Sequence, residues 1–188
     1  QAFCVGAAFV RSRDLVTIAR PYMRRLMEQS GETVNLAIAD RGEVIYIAQV
    51  ETQKMMRAIA GPGGRAPMHC SGVGKALLAV ADQASADKLV SSLELHRETA
   101  NTLITADDLQ RDLEKIRKRG YAVDNEENAV GLRCVAAVIY DEHGAPLAAL
   151  SVSGPTARIT EQRIPLLGEA VAGIAAEITA EIGGRRPE

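Results

Sequence analysis

Tryptophan is absent from this 188-residue chain, and all aromatics together make up only 3% of it. Any core must therefore be built from Ala, Val, Leu and Ile, which the 47% hydrophobic content permits. No run of about 18 apolar residues occurs, which excludes a membrane-spanning helix of ordinary length. A basic excess is missing too. The net charge of −2 argues against a nucleic-acid surface, which is usually strongly basic. The start, QAFCVGAAFVRSRD, has no basic segment ahead of its apolar stretch, so it does not read as a signal peptide. It begins with Gln rather than Met, as a fragment of a longer protein would. Cysteine is scarce: Cys4, Cys70 and Cys134 are far apart and odd in number, which fits a reduced, cytoplasmic protein better than a disulfide framework. His69, His96 and His143 are scattered and no CxxC or HxxxH spacing occurs, so no metal site is expected.

What is present alternates between helical and strand-like patterns. Asp14 to Ser30 has helical spacing with Asp14 as N-cap, and Pro21 inside it should kink or break the helix. Residues before Asp14 read as the tail of an upstream helix. Thr33–Ala39 and Val44–Val50 are strand-like and flank a turn at Asp40-Arg41-Gly42-Glu43. Lys54–Ala60 is a candidate third strand, followed by a Gly61-Pro62-Gly63-Gly64 loop. Helices are expected from Ser71 to Ala81, from Ala86 to Leu93, and from Thr105 to Arg119 with Thr105 as cap and Gly120 as stop. Tyr121–Glu126 is a strand candidate. Thr160 should cap a long final helix ending at Ile182, before a polar tail at 185–188. No repeat or low-complexity linker divides the chain. One α+β domain over 14–184, preceded by a helical arm at 1–13, is the natural partition.

Chemistry-bearing residues gather in three places. SGVGKA resembles a phosphate loop, but the position five before Gly74 is His69 and Lys75 is followed by Ala76, so both Walker requirements fail and no nucleotide cofactor is expected. A capped helix start remains, whose Gly72 and Val73 amides can hold a carboxylate; glycines that merely allow tight packing are the plainer reading. GYAVDNEE places Asp124 at a strand end, where it can face inward, while Asn125, Glu126 and Glu127 look solvated. Leu132–Asp141 and Pro146–Gly154 form a hairpin around Glu142-His143-Gly144. Ser151 and Ser153 share one face of it and Cys134 lies on the partner strand. Hydroxyls and a thiol on otherwise apolar strands suit binding of a small polar molecule better than catalysis.

Three segments, PMHCSGVGKALLA, RKRGYAVDNEENAVGLRCVAA and LAALSVSGPTARIT, in this order and spacing, resemble the effector-binding domain of IclR-type bacterial transcription regulators. The resemblance runs from about Asp14 to about Gly184. It implies a GAF- or profilin-like fold, with an antiparallel sheet, flanking helices and a ligand pocket on the concave face. It also implies a winged helix-turn-helix ahead of this chain, with residues 1–13 as the end of the linker, and assembly as a homodimer or homotetramer. DNA would be bound only through that missing domain, and no enzymatic activity is implied. In glyoxylate-responsive members the effector meets the SGxGK amides, the Asp after GYxx, the Cys of GLRC and both Ser of SxSGP. Those positions are Gly72, Val73, Asp124, Cys134, Ser151 and Ser153 here, with Met55 on the apolar wall. Val73 and Met55 replace a smaller Ala and a Leu of that pattern. The implied effector is a small 2-oxo acid, glyoxylate or pyruvate. A sensor of an allantoin-pathway, sugar or aromatic acid, a Cys134-dependent hydrolase, and a ligand-free dimerisation module stay open.

Overall fold

The computed structural model describes residues 2–54, 61–81, 90 and 94–187, with side chains from residue 14 onward. In chain order its elements are α1 (Ala2–Ser30), β1 (Thr33–Asp40), β2 (Glu43–Val50), β3 (Arg65–Pro67), α2 (Gly72–Val80), α3 (Ala106–Arg119), β4 (Ala122–Asn125), β5 (Leu132–Tyr140), β6 (Pro146–Pro155) and α4 (Ile164–Glu181). The strands form one sheet in the order β3-β2-β1-β6-β5-β4, with antiparallel pairing at each step. The class is α+β, as expected.

Strand alternation divides the core in two. One face presents Val34, Leu36, Val135, Ile139, Leu150 and Val152, which α1 and α4 cover with Met23, Leu26, Val171 and Ile178. The other face is built from smaller groups, Ala122, Ala136 and Ala149, against α2 and α3. On α3 the apolar stripe is Leu109, Leu113 and Ile116, all buried. Each contributes roughly 1.5–3 kcal/mol relative to exposure. Thr105 caps α3 by accepting the Asp108 N–H, and Gly120 ends it in the left-handed region at φ 82°. The small side chains beneath α2 let its backbone approach the sheet, and beyond its N-terminus they leave an opening.

Several expectations are corrected. Asp14 does not start a helix, because α1 runs unbroken from Ala2, across the anticipated linker boundary and through Pro21. Proline removes one backbone donor, and here the burial of Ala19, Met23 and Leu26 on the sheet outweighs that loss. Thr160 makes no side-chain cap; a 3₁₀ turn at Glu161–Arg163 intervenes and the final helix starts at Ile164, with Pro165 in its first turn. A short edge strand, Arg65–Pro67, was not foreseen. The proposed strand at 54–60 beyond Lys54 and the helix at 86–93 lie largely outside the described residues, as does Met55.

Candidate ligand-binding site

The start of α2 follows from its sequence. Ser71 is the N-cap: its Oγ accepts the Gly74 N–H at 3.2 Å and donates to the Pro67 carbonyl at 2.7 Å. The Lys75 N–H closes the first turn on the Ser71 carbonyl. The Gly72 and Val73 amides then have no acceptor among the described residues. Both residues line a cavity of about 530 Å³ between α2 and the sheet. Packing requires the glycine at 74 and crowds any side chain at 72. A Cβ on Gly72 would stand 3.2 Å from the Cys134 Cβ, and one on Gly74 only 2.4 Å from the Met68 Cα. The packing reading and the ligand reading therefore coexist, since close packing is what brings two unpaired donors to the cavity wall.

The sheet supplies the opposite wall. Pairing sets Asp124 on β4 beside Cys134 on β5, and Cys134 beside Ser153 on β6. Ser151 lies beside Asn35 on β1. Directly paired residues share a face, so these polar groups form two adjoining rows under α2. Ser153 Oγ accepts from Asn35 Nδ2 at 3.2 Å and lies 3.5 Å from Ser151 Oγ, while Gln49 donates to Asn35 Oδ1 at 2.8 Å. All six anticipated positions in the described residues, Gly72, Val73, Asp124, Cys134, Ser151 and Ser153, line this one cavity.

Asp124 is wholly buried. Its Oδ1 accepts the Glu127 N–H at 2.8 Å and the Asn128 N–H at 3.3 Å, whereas Oδ2 is buried with no partner among the described residues. Burial, and then the nearby Glu127 carboxylate, push its carboxyl up to about 7. The lone oxygen on the cavity wall is thus an atom that holds a proton near neutrality. Cys134 is held well above the ordinary thiol range by burial first and Asp124 second. No histidine lines the cavity, and the His69 ring is engaged by the His96 carbonyl at 2.9 Å. A protonated thiol without a base is not a nucleophile.

Glu127 is not solvated as its acidic neighbourhood implied. It is buried and paired to Lys75 at 2.6 Å, and Lys75, with no exposed surface, also meets Asp112 at 2.7 Å. Thr99 and Thr102 hold the same loop by donating to the Glu126 and Glu127 carbonyls at 2.6 and 2.7 Å. Lys75 therefore ties the helix that offers the amides to the loop that shapes Asp124. Asn35 and Tyr46, which also line the cavity, were not anticipated either. A polar residue alternating with Val34 and Leu36 in TVNLAIAD was the available signal for Asn35; nothing local marked Tyr46. Among the described residues no group of His, Cys, Asp or Glu could hold a metal ion, and no helix is long and apolar enough to cross a membrane.

Comparison with known proteins places this cavity in context. Residues 7–180 match the family model described as the C-terminal region of the bacterial transcriptional regulator IclR. The chain is 49% identical over 188 residues to the acetate operon repressor of Salmonella typhimurium, covering 99% of this chain and 69% of that one. It is 44% identical over 181 residues to the HTH-type transcriptional repressor AllR of Escherichia coli K12, covering 96% and 67%. The crystal structure of Thermotoga maritima IclR superposes with a TM-score of 0.88 at 34% identity, over 97% of this chain and 74% of that one.

Proposed function

The chain belongs to the IclR family of bacterial transcriptional regulators, as the effector-binding domain of a repressor, and from that premise we propose that the cavity under α2 senses a small 2-oxo acid, glyoxylate or pyruvate. The observation that carries this reading is the pair of unpaired amides at Gly72 and Val73 facing Asp124 Oδ2, which has no partner among the described residues, across one cavity. The acid group of the effector takes the amides and the positive helix end. Ser151, Ser153 and Cys134 meet its carbonyl side. Protonated Asp124 donates to an effector oxygen, so the buried site accepts an anion without facing a second negative charge.

A two-carbon acid has few atoms to bind with. At a ceiling of about −1.5 kcal/mol per heavy atom, glyoxylate reaches roughly −7.5 kcal/mol, or a Kd of a few micromolar at best. Metabolite sensing operates in that range. The effector acts by binding two oligomeric arrangements with unequal affinity. Those arrangements are of a homodimer or homotetramer, and they set the spacing of winged helix-turn-helix heads carried ahead of residues 1–13 in the cytoplasm. DNA binding belongs to those heads.

One observation favours a second reading. The cavity of about 530 Å³ falls within the usual range for drug-sized ligands and exceeds what glyoxylate fills. A larger acid, from the allantoin pathway or a sugar acid, would use the same donors. Calorimetry with glyoxylate, pyruvate, sugar acids and aromatic acids separates the two. Micromolar heat with glyoxylate or pyruvate, lost in the Ser151→Ala, Ser153→Ala variant, supports the first. Silence with both two- and three-carbon acids alongside clear binding of a larger one overturns it.

A further inference from the structure

A second cleft, of about 230 Å³, lies at the far end of α2, between α3, the outer part of β5 and α4. β4 covers β5 only as far as Ala136, so from Ala137 onward the outer edge of β5 has no strand beside it among the described residues. The C-terminal tail crosses this gap: the Gly184 N–H bonds to Thr179 O at 2.7 Å and the Arg185 N–H to Asp141 O at 3.0 Å. The floor is apolar and made of small groups, with Ala136 on the sheet and Ala172 and Ala176 on α4.

Its charge is one-sided. Arg117, Arg185 and Arg186 all line the cleft, and among the described residues no Asp or Glu does. Arg117 is fixed in place, with Nε donating to the Ala79 carbonyl at 2.6 Å, yet its Nη2 is buried without an acceptor among the described residues. Neither Arg185 nor Arg186 has a carboxylate partner among the described residues; burial raises the Tyr140 phenol, and the nearby Arg186 charge offsets only part of that rise. Two carboxylates of α4, Glu177 and Glu181, turn away to Arg25 and Tyr22 on α1. A buried guanidinium nitrogen left unbonded costs free energy that a bound anion would recover.

We propose that this cleft is a second binding site, for an amphipathic monocarboxylate whose apolar tail lies on the alanine floor and whose acid group meets Arg117 and Arg186. The volume equals that of roughly eight liquid waters, which suits an acid of about that many heavy atoms. Hexanoate is the matching probe. The site shares no lining residue with the cavity under α2.

Amide NMR of the whole chain titrated with hexanoate tests this. Saturable shifts at Ala136, Ala172, Ala176 and Arg186 are expected. Affinity should fall about tenfold in Arg117→Gln and severalfold in Arg186→Gln, and it should weaken with added salt. Arg186 is exposed, so that variant folds whatever happens at Arg117. Ala176→Leu, also at an exposed position, fills the floor and should abolish binding. The Ser151→Ala, Ser153→Ala variant should bind hexanoate as well as the parent chain does. No saturable shift, or binding lost in the serine variant and kept in the arginine variants, overturns the proposal without touching the effector reading.

Discussion

Replacing Asp124 by Asn should shift the stability of the unliganded chain in the variant's favour as pH rises from acid to alkaline. Asp124 is fully buried, and its carboxyl is raised to about 7 by desolvation first and the Glu127 charge second. Unfolded, it titrates near 3.9. A raised carboxyl favours the protonated folded state. Its contribution is therefore complete below about pH 3.9 and is lost as pH climbs towards about 7, after which it is flat. The span is about three tenfold steps in proton affinity at about 1.4 kcal/mol each, so the ceiling is about 4 kcal/mol. Asn keeps an oxygen for the Glu127 and Asn128 amides and carries no charge to desolvate. Its buried NH₂ adds an offset that does not vary with pH. Urea unfolding of both proteins at pH 5 and pH 8 reads the difference, because every other titrating group largely cancels. The gap between the Asp124→Asn variant and the parent chain should widen in favour of the variant by about 1–3 kcal/mol over that interval. Equal gaps at both pH values would show that Asp124 ionises normally and that its unpartnered oxygen is solvated.

Two more outcomes follow from buried groups. Lys75→Met strands Glu127, so urea unfolding should show a loss of about 3–5 kcal/mol, with part of it recovered in Lys75→Met, Glu127→Leu; a loss under about 1 kcal/mol would mean the pair is not desolvated. In a Cys4→Ser background, a thiol reagent at pH 8 should label Cys70 and Cys134 only as fast as the chain unfolds, since burial pushes Cys70 up to about 12 and Cys134 further; rapid labelling of Cys134 in the folded chain would revive a nucleophilic role.

The legible parts of this chain were those governed by short-range rules. Ser71 and Thr105 announce helix starts because each side chain bonds an amide three residues on. Gly144 and Asp141 announce the β5–β6 turn, where Asp141 accepts the His143 and Ala145 amides. Alternation alone put Ser151 and Ser153 on one face. Asp14 and Pro21 misled for the opposite reason: α1 is held by packing on the sheet, which no local capping pattern reports.

The order of residues was thus enough for most of the elements, for the polar character of one hairpin face and, through its motifs, for the family. These depend on neighbours within a few residues or on spacing along the chain. The folded arrangement was needed to show that Glu127 is buried against Lys75, that Asn35 and Tyr46 share the cavity with the serines, and that Arg117 and Arg186 line one second cleft. Each of those groupings joins residues on different elements, and whether a charge is solvated or enclosed is set by what the fold lays over it.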